Sequence, residues 1–322
     1  MLMFQFCKNP VQSIKMHKVN VAKRNTFSGH RDCVYALQPS NASNIFFSSA
    51  GDGMVVKWDM KNPEEGELIA KLPNSVYALQ YHAENNLLLT GHNYDGIHVL
   101  DWENKKELAS LHITKAAIFD IQSFGNRILV ACGDGSLVCV NLERLEVTDR
   151  NKHSENKART IAVHTHRGEI AVGYSDNFIR IFDADSLELK HAWRGHLNSV
   201  FTLRYSPDGK FLFSGSRDAR LKVWDVQAGY LQAAEVVAHM YAINHLEFSP
   251  DGKHFVTCSM DKSIKVWDTE GLQLLKVIDR ARHAGHGTSV NKLLWTSFES
   301  QLLSASDDRS ISAWQIFSTN DL

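Results

Sequence analysis

Neither sign of charge is in excess in this chain: 35 lysines and arginines face 36 aspartates and glutamates, for a formal net charge of −1. A general polyanion binder carries a clear basic excess, so nucleic acid is not an expected partner. Cysteine is sparse. Cys7, Cys33, Cys132, Cys139 and Cys258 are scattered with no CxxC pair, which points to reduced, mostly buried thiols rather than a disulfide framework. No apolar run approaches the roughly 18 residues that a membrane-spanning helix needs, so no membrane insertion is expected. The opening MLMFQFCKNP is apolar for about seven positions without leading basic residues, a poor signal peptide, and the expected location is cytoplasmic. There is no GxSxG elbow and no GxxxxGK[ST] loop. Those absences argue against a serine hydrolase and a phosphate-binding loop.

What is present is a repeat. The segment FSGSRDARLKVWD, ending at Trp224 and Asp225, returns as VTCSMDKSIKVWD, LSASDDRSISAWQ and FSSAGDGMVVKWD. Fainter copies end at Leu100, Val140 and Phe182. The Trp-equivalent positions are 58, 100, 140, 182, 224, 267 and 314, spaced 40 to 47 residues apart, the interval of propeller blades. Each unit reads as strands joined by turns. In Ser199 to Asp225, SVFTLRYS alternates apolar and polar, SPDGK is a hairpin turn, FLFSGS is a buried strand and LKVWD follows a second turn. An outer strand comes after each Trp-Asp pair, as in YLQAAEVVAH and GLQLLKVID. The array covers nearly all of the 322 residues, which overrides a length-based expectation of two domains.

With an upstream His, an Asp in the last hairpin and a terminal Trp in four copies, the chain resembles a WD-repeat β-propeller. The expected fold is all-β, with seven four-stranded antiparallel blades over residues 18–322. The resemblance implies a hydrogen-bonded set in each strong blade. Carried over, the sets are His30, Ser48, Asp52 and Trp58; His196, Ser214, Asp218 and Trp224; His239, Thr257, Asp261 and Trp267; and His286, Ser304, Asp308 and Trp314. Asp accepts from the imidazole, the hydroxyl joins the imidazole and the indole N–H donates to the hydroxyl. Where Trp is missing, other partners tend to go with it: blade three has Val130 and Val140, blade four has Val172 and Phe182, and blade two keeps Thr90 but has Leu72 near the His place, Leu100 for Trp and a turn, GHNYDG, displaced by one residue. The expectation is that the network is mostly kept whole or replaced by apolar packing. The last blade ends on its third strand, while VNVAKRNTFS stands spare before Gly29 and His30. It resembles the strand that closes the ring. Residues 1–17 are left as a leader or an extra strand.

A repeated His, Asp and Ser also suggests a hydrolase triad. Four copies at blade spacing, each with a Trp, favour a structural role, and no catalytic residue, metal ligand or cofactor site is assigned. His164 and His166, or His283 and His286, lack a neighbouring cluster at ligand spacing. In such propellers the residue after the first apolar position of each inner strand lies at the upper mouth of the channel. Here these are Tyr35, Tyr77, Phe119, Arg159, Phe201, Asn244 and Asn291, with Tyr94, Ser175, Arg217, Met260 and Asp307 beside them. Tyr35, Tyr77, Tyr94, Phe119, Arg159, Phe201, Arg217 and Met260 form the candidate partner site, because aromatic and arginine side chains dominate binding hot spots. The leading expectation is a non-enzymatic, monomeric scaffold that holds protein or peptide segments. The alternative is a propeller enzyme of hydrolase or lactonase type with a channel metal, for which Asp307 and Glu247 are loose candidates.

Overall fold

The computed structural model describes residues 19–318; the candidate leader at 1–17 lies outside them. Twenty-eight strands form seven four-stranded antiparallel sheets. The inner strands of blades one to seven are Val34–Pro39, Val76–His82, Ile118–Phe124, Ala158–His164, Val200–Tyr205, Ile243–Phe248 and Val290–Trp295. Each packs against the next, and the seventh packs against the first, which closes the ring. The fourth strand of the last blade is Val19–Ser28, paired antiparallel with Ser310–Ser318. The spare segment therefore completes the blade that lacks one, and a sheet edge is removed.

The core is divided among the seven seams between blades. Trp58 and Phe27 fill the seam between blades seven and one, with Leu303 and Ile311. Trp224, Trp267 and Trp314 occupy the corresponding seams of their own blades. Leu100, Val140 and Phe182 do the same in the weaker copies. Seam packing therefore survives the loss of the indole, because any bulky apolar group fills that place.

Small residues on the second strands let neighbouring blades approach. A Cβ on Gly215 would lie 2.7 Å from the Ile243 and Thr202 methyl carbons, and Gly91 faces Ile118 and Ala78 in the same way. Gly215→Val is expected to cost about 2–3 kcal/mol by overpacking this seam, read as a lower midpoint in thermal or urea unfolding. Gly215→Ala should cost less. Among the described residues, no helix is long and apolar enough to cross a membrane, and Cys33, Cys132, Cys139 and Cys258 are free thiols.

Candidate functional site

Four blades hold a tetrad with a single direction of donation. In blade one, Trp58 Nε1 donates to Ser48 Oγ at 2.7 Å, His30 Nε2 lies 2.7 Å from the same hydroxyl, and His30 Nδ1 lies 3.2 Å from Asp52. The corresponding distances are 2.8, 2.8 and 3.1 Å through Trp224, Ser214, His196 and Asp218. They are 2.9, 2.8 and 2.8 Å through Trp267, Thr257, His239 and Asp261. Trp314, Ser304, His286 and Asp308 give 2.8 Å throughout. A neutral imidazole suits this relay, accepting at Nε2 and donating from Nδ1 to the carboxylate. Burial lowers the His30 and His239 pKa values, and their aspartates only partly oppose it. The hydroxyls are fully buried behind the Trp rings, so these triads have no exposed nucleophile.

The weaker blades need a correction: the expectation that apolar packing replaces the network there does not hold in blades three and four. In blade three the turn carboxylate of Asp134 accepts from Thr114 Oγ1 at 2.9 Å and from Ser136. In blade four Asp176 accepts from Ser154 Oγ at 2.7 Å and from both terminal nitrogens of Arg180. A hydroxyl stands where the histidine would be and the aspartate is kept. The apolar Val130, Val140, Val172 and Phe182 replace the inner half of the relay, while its outer half is rewired. Blade two differs again: its turn places Asp95, half-exposed, against His112 at 2.9 Å.

The channel mouth is built by a backbone device common to all seven inner strands. The register of each slips by one residue at Tyr35, Tyr77, Phe119, Arg159, Phe201, Asn244 and Asn291. A bulge leaves its extra residue out of the ladder and re-aims the side chain. The rings of Tyr35 and Tyr77 lie 4.7 Å apart, and Tyr77 stacks on Phe119 at 5.7 Å. The Arg159 guanidinium sits between Phe119 and Phe201, 4.4 and 5.0 Å from their centroids, and is held to Ser175. Burial and the nearby Arg217 lower its pKa. On the opposite side, Asn244 donates to the Val290 carbonyl at 2.8 Å and Asn291 to the Val34 carbonyl at 3.0 Å. Asn291 also donates to Asp307 at 2.7 Å.

Of the candidate partner residues, Tyr35, Tyr77, Phe119, Arg159 and Phe201 are thus brought into one continuous arc, with Arg217 beside it. Tyr94 and Met260 stand apart from that stack, 65% and 58% exposed. Reading the inner strands alone missed a neighbouring surface. Leu197 and Met240, the residues after His196 and His239, are 68% and 81% exposed, and Tyr241 is 60% exposed. The backbone N–H groups of Leu197 and Met240 are fixed by Asp218 and Asp261, which places them beside Arg217 and Met260. The signal available in the sequence was an apolar residue directly after a structural histidine.

Below the mouth, a cavity of about 450 Å³ is lined by Asp120, Arg204, Glu247 and Lys292 among others. Arg204 pairs with Glu247 at 3.0 Å. Asp120 accepts from the Ile161 backbone N–H at 2.7 Å, so this carboxylate satisfies the open inner edge of the next blade. His245 does the same for Leu293, at 3.4 Å. Asp120, His245 and the Arg204–Glu247 pair thus link neighbouring blades. Glu247 belongs to an ion pair and Asp307 to the Asn291 contact, so the structure does not bring these two loose candidates for channel chemistry together.

A closed ring of seven four-stranded blades with internal polar tetrads defines a β-propeller. Residues 22–59, 187–225, 232–268 and 279–315 match the family model WD40, described as WD domain, G-beta repeat. These stretches contain the four complete tetrads. Similar proteins include human striatin-3, 24% identical over 66% of this chain and 23% of its own length. The APC/C activator protein CDH1 of Saccharomyces cerevisiae is 26% identical over 62% of this chain and 36% of its own. WD repeat-containing protein srw1 of Schizosaccharomyces pombe is 26% identical over 63% of this chain and 37% of its own. The match therefore spans between about a quarter and a little over a third of these relatives. The chain is a seven-bladed β-propeller that carries four matches to the WD repeat, and its likeness to these proteins fits a protein-interaction scaffold or adaptor.

Proposed function

We propose that the propeller acts as a non-enzymatic adaptor that seats a protein segment on its upper face, running from the aromatic arc onto blades five and six. One observation carries this reading: Leu197, Met240, Tyr241 and Met260, each more than half exposed, share one edge of two adjacent blades with Arg217. Grouped apolar side chains beside polar neighbours mark interaction surfaces, whereas scattered ones do not. The arc next to them supplies rigid rings with little rotamer entropy to lose. A relative named as an activator of APC/C is in keeping with action through another protein.

The test is quantitative affinity capture from native lysate with two surface variants, Met240→Lys/Leu197→Lys and Tyr77→Ala/Phe201→Ala. Partners specific to the wild type should fall at least about tenfold with either variant, as truncation of a hot spot costs roughly 2 kcal/mol. Equal recovery of the same partners by both folded variants would remove the upper face as the binding site.

A further inference from the structure

Blade two carries a cluster that the binding surface does not use. His92, Asp95 and His98 offer ligand atoms that all lie within 4.8 Å of one another. Both imidazoles are deeply buried, at 2% and 5% exposure. Among the described residues, His92 Nδ1 and His98 Nε2 have no hydrogen-bond partner. Thr90, which pairs in register with His98, has an unpartnered hydroxyl too. Buried polar atoms are nearly always satisfied, so their concentration at one turn calls for a ligand.

The chemistry at this turn is specific. Glu107 lies 3.1 Å from His98 Nδ1, which holds the proton on that nitrogen and leaves the Nε2 lone pair free. A carboxylate behind a ligating imidazole is a recurrent arrangement in metal sites. The two imidazoles meet edge to face, with ring centroids 5.4 Å apart. Asp95 is half-exposed and gives a path from solvent, and His112 lies 2.9 Å from it.

We propose that His92 Nδ1, His98 Nε2 and the Asp95 carboxylate bind a divalent transition-metal ion, with zinc as the best fit to a nitrogen and oxygen donor set. Three protein ligands, one of them the solvent-facing Asp95 carboxylate, leave a coordination position for water. The site occupies the part of blade two where other blades carry a His-Asp pair, and there the ion takes the place of the internal relay. Uptake has one structural consequence. Asn74 N–H lies 3.1 Å from His92 Nε2, which sets the ring proton on Nδ1. Coordination moves that proton to Nε2 and displaces the Asn74 N–H.

The test uses tag-free protein stripped with chelator and then titrated with cobalt(II) and zinc. The expected result is one ion per chain by elemental analysis, a cobalt d–d band displaced by zinc, and a shifted Asn74 amide resonance. His98→Gln and His92→Gln should each lower affinity at least tenfold, and Glu107→Gln, which keeps all three ligands, about tenfold. His166→Gln, on a remote turn, should change nothing. No saturable uptake by wild type, or uptake unchanged in His92→Gln/His98→Gln, overturns the proposal. Neither result bears on capture of protein partners at blades five and six.

Discussion

Deleting residues 19–28 is expected to abolish the cooperative melt or to lower its midpoint by at least about 10 °C, with aggregation on heating. The strand runs in register from Val19 opposite Ser318 to Ser28 opposite Ser310, interrupted by one irregularity at Lys23 to Asn25. Its removal leaves Ser310–Ser318 as an unpaired edge, a template for pairing with another chain. The apolar loss is as large. Phe27 is 1% exposed and lies edge-on to Phe46 at 5.0 Å and Trp58 at 5.7 Å. Phe27→Ala alone should cost about 3–5 kcal/mol. With an unfolding entropy of roughly 2.1 cal/mol/K per residue, that corresponds to a shift of about 4–7 °C in a chain of this length. Scanning calorimetry of the single variant and the deletion gives a graded pair. If both melt like wild type, the seam between blades seven and one does not depend on the N-terminal strand.

The closing strand was legible because its alternation and its position before His30 left it without a partner in its own repeat. The blade spacing was legible for a similar reason: one bulky residue per blade must fill each seam, and Trp, Phe, Leu and Val all do so. The tetrads could be named by offset alone, since His, hydroxyl, Asp and Trp come from strands and turns of fixed length. Other features follow no motif. Thr114 and Ser154 sit in entry loops of irregular composition, so nothing marked them as partners of Asp134 and Asp176. The alternation of an inner strand does not distinguish a channel-facing residue from a seam-facing one, which hid Asp120, Arg204 and Lys292. The cluster of His92, Asp95 and His98 was obscured because the turn of blade two is displaced by one residue. Its chemistry depends on which nitrogens lack partners, a fact of three-dimensional packing. The aromatic arc was named from the resemblance, but the reason for it is the shared bulge, which no residue type announces.

Asp261→Ala is expected to destabilise the ring by about 3–5 kcal/mol, although the residue is in a turn. The carboxylate accepts from His239 Nδ1, from the Met240 backbone N–H, and from both the backbone N–H and the hydroxyl of Ser263. Removing it strands several donors at once, and each bond to a charged acceptor contributes roughly 1.5–3 kcal/mol, less where water can replace it. Asp225→Ala provides the contrast. This is the aspartate of a Trp-Asp pair, and it caps the exposed turn at Gln227 and Ala228; its loss should cost about 1 kcal/mol. The pH dependence gives a second readout. Burial raises the Asp218 and Asp261 pKa values, but the histidine contacts and backbone donors outweigh it and hold Asp218 at about 2 and Asp261 low. Their stabilisation is complete above the unfolded value near 4 and is lost as pH falls toward about 2. His239 acts earlier and in the same direction. Burial disfavours its imidazolium despite Asp261, so the unfolded chain takes up the proton first, and stability declines from about pH 6.5 downward. Urea unfolding midpoints measured from pH 7.5 to 2.5 should therefore fall throughout. The dependence should be shallower below pH 4 in Asp261→Asn than in wild type. Parallel curves for the two proteins would mean that Asp261 is not the anionic end of the relay.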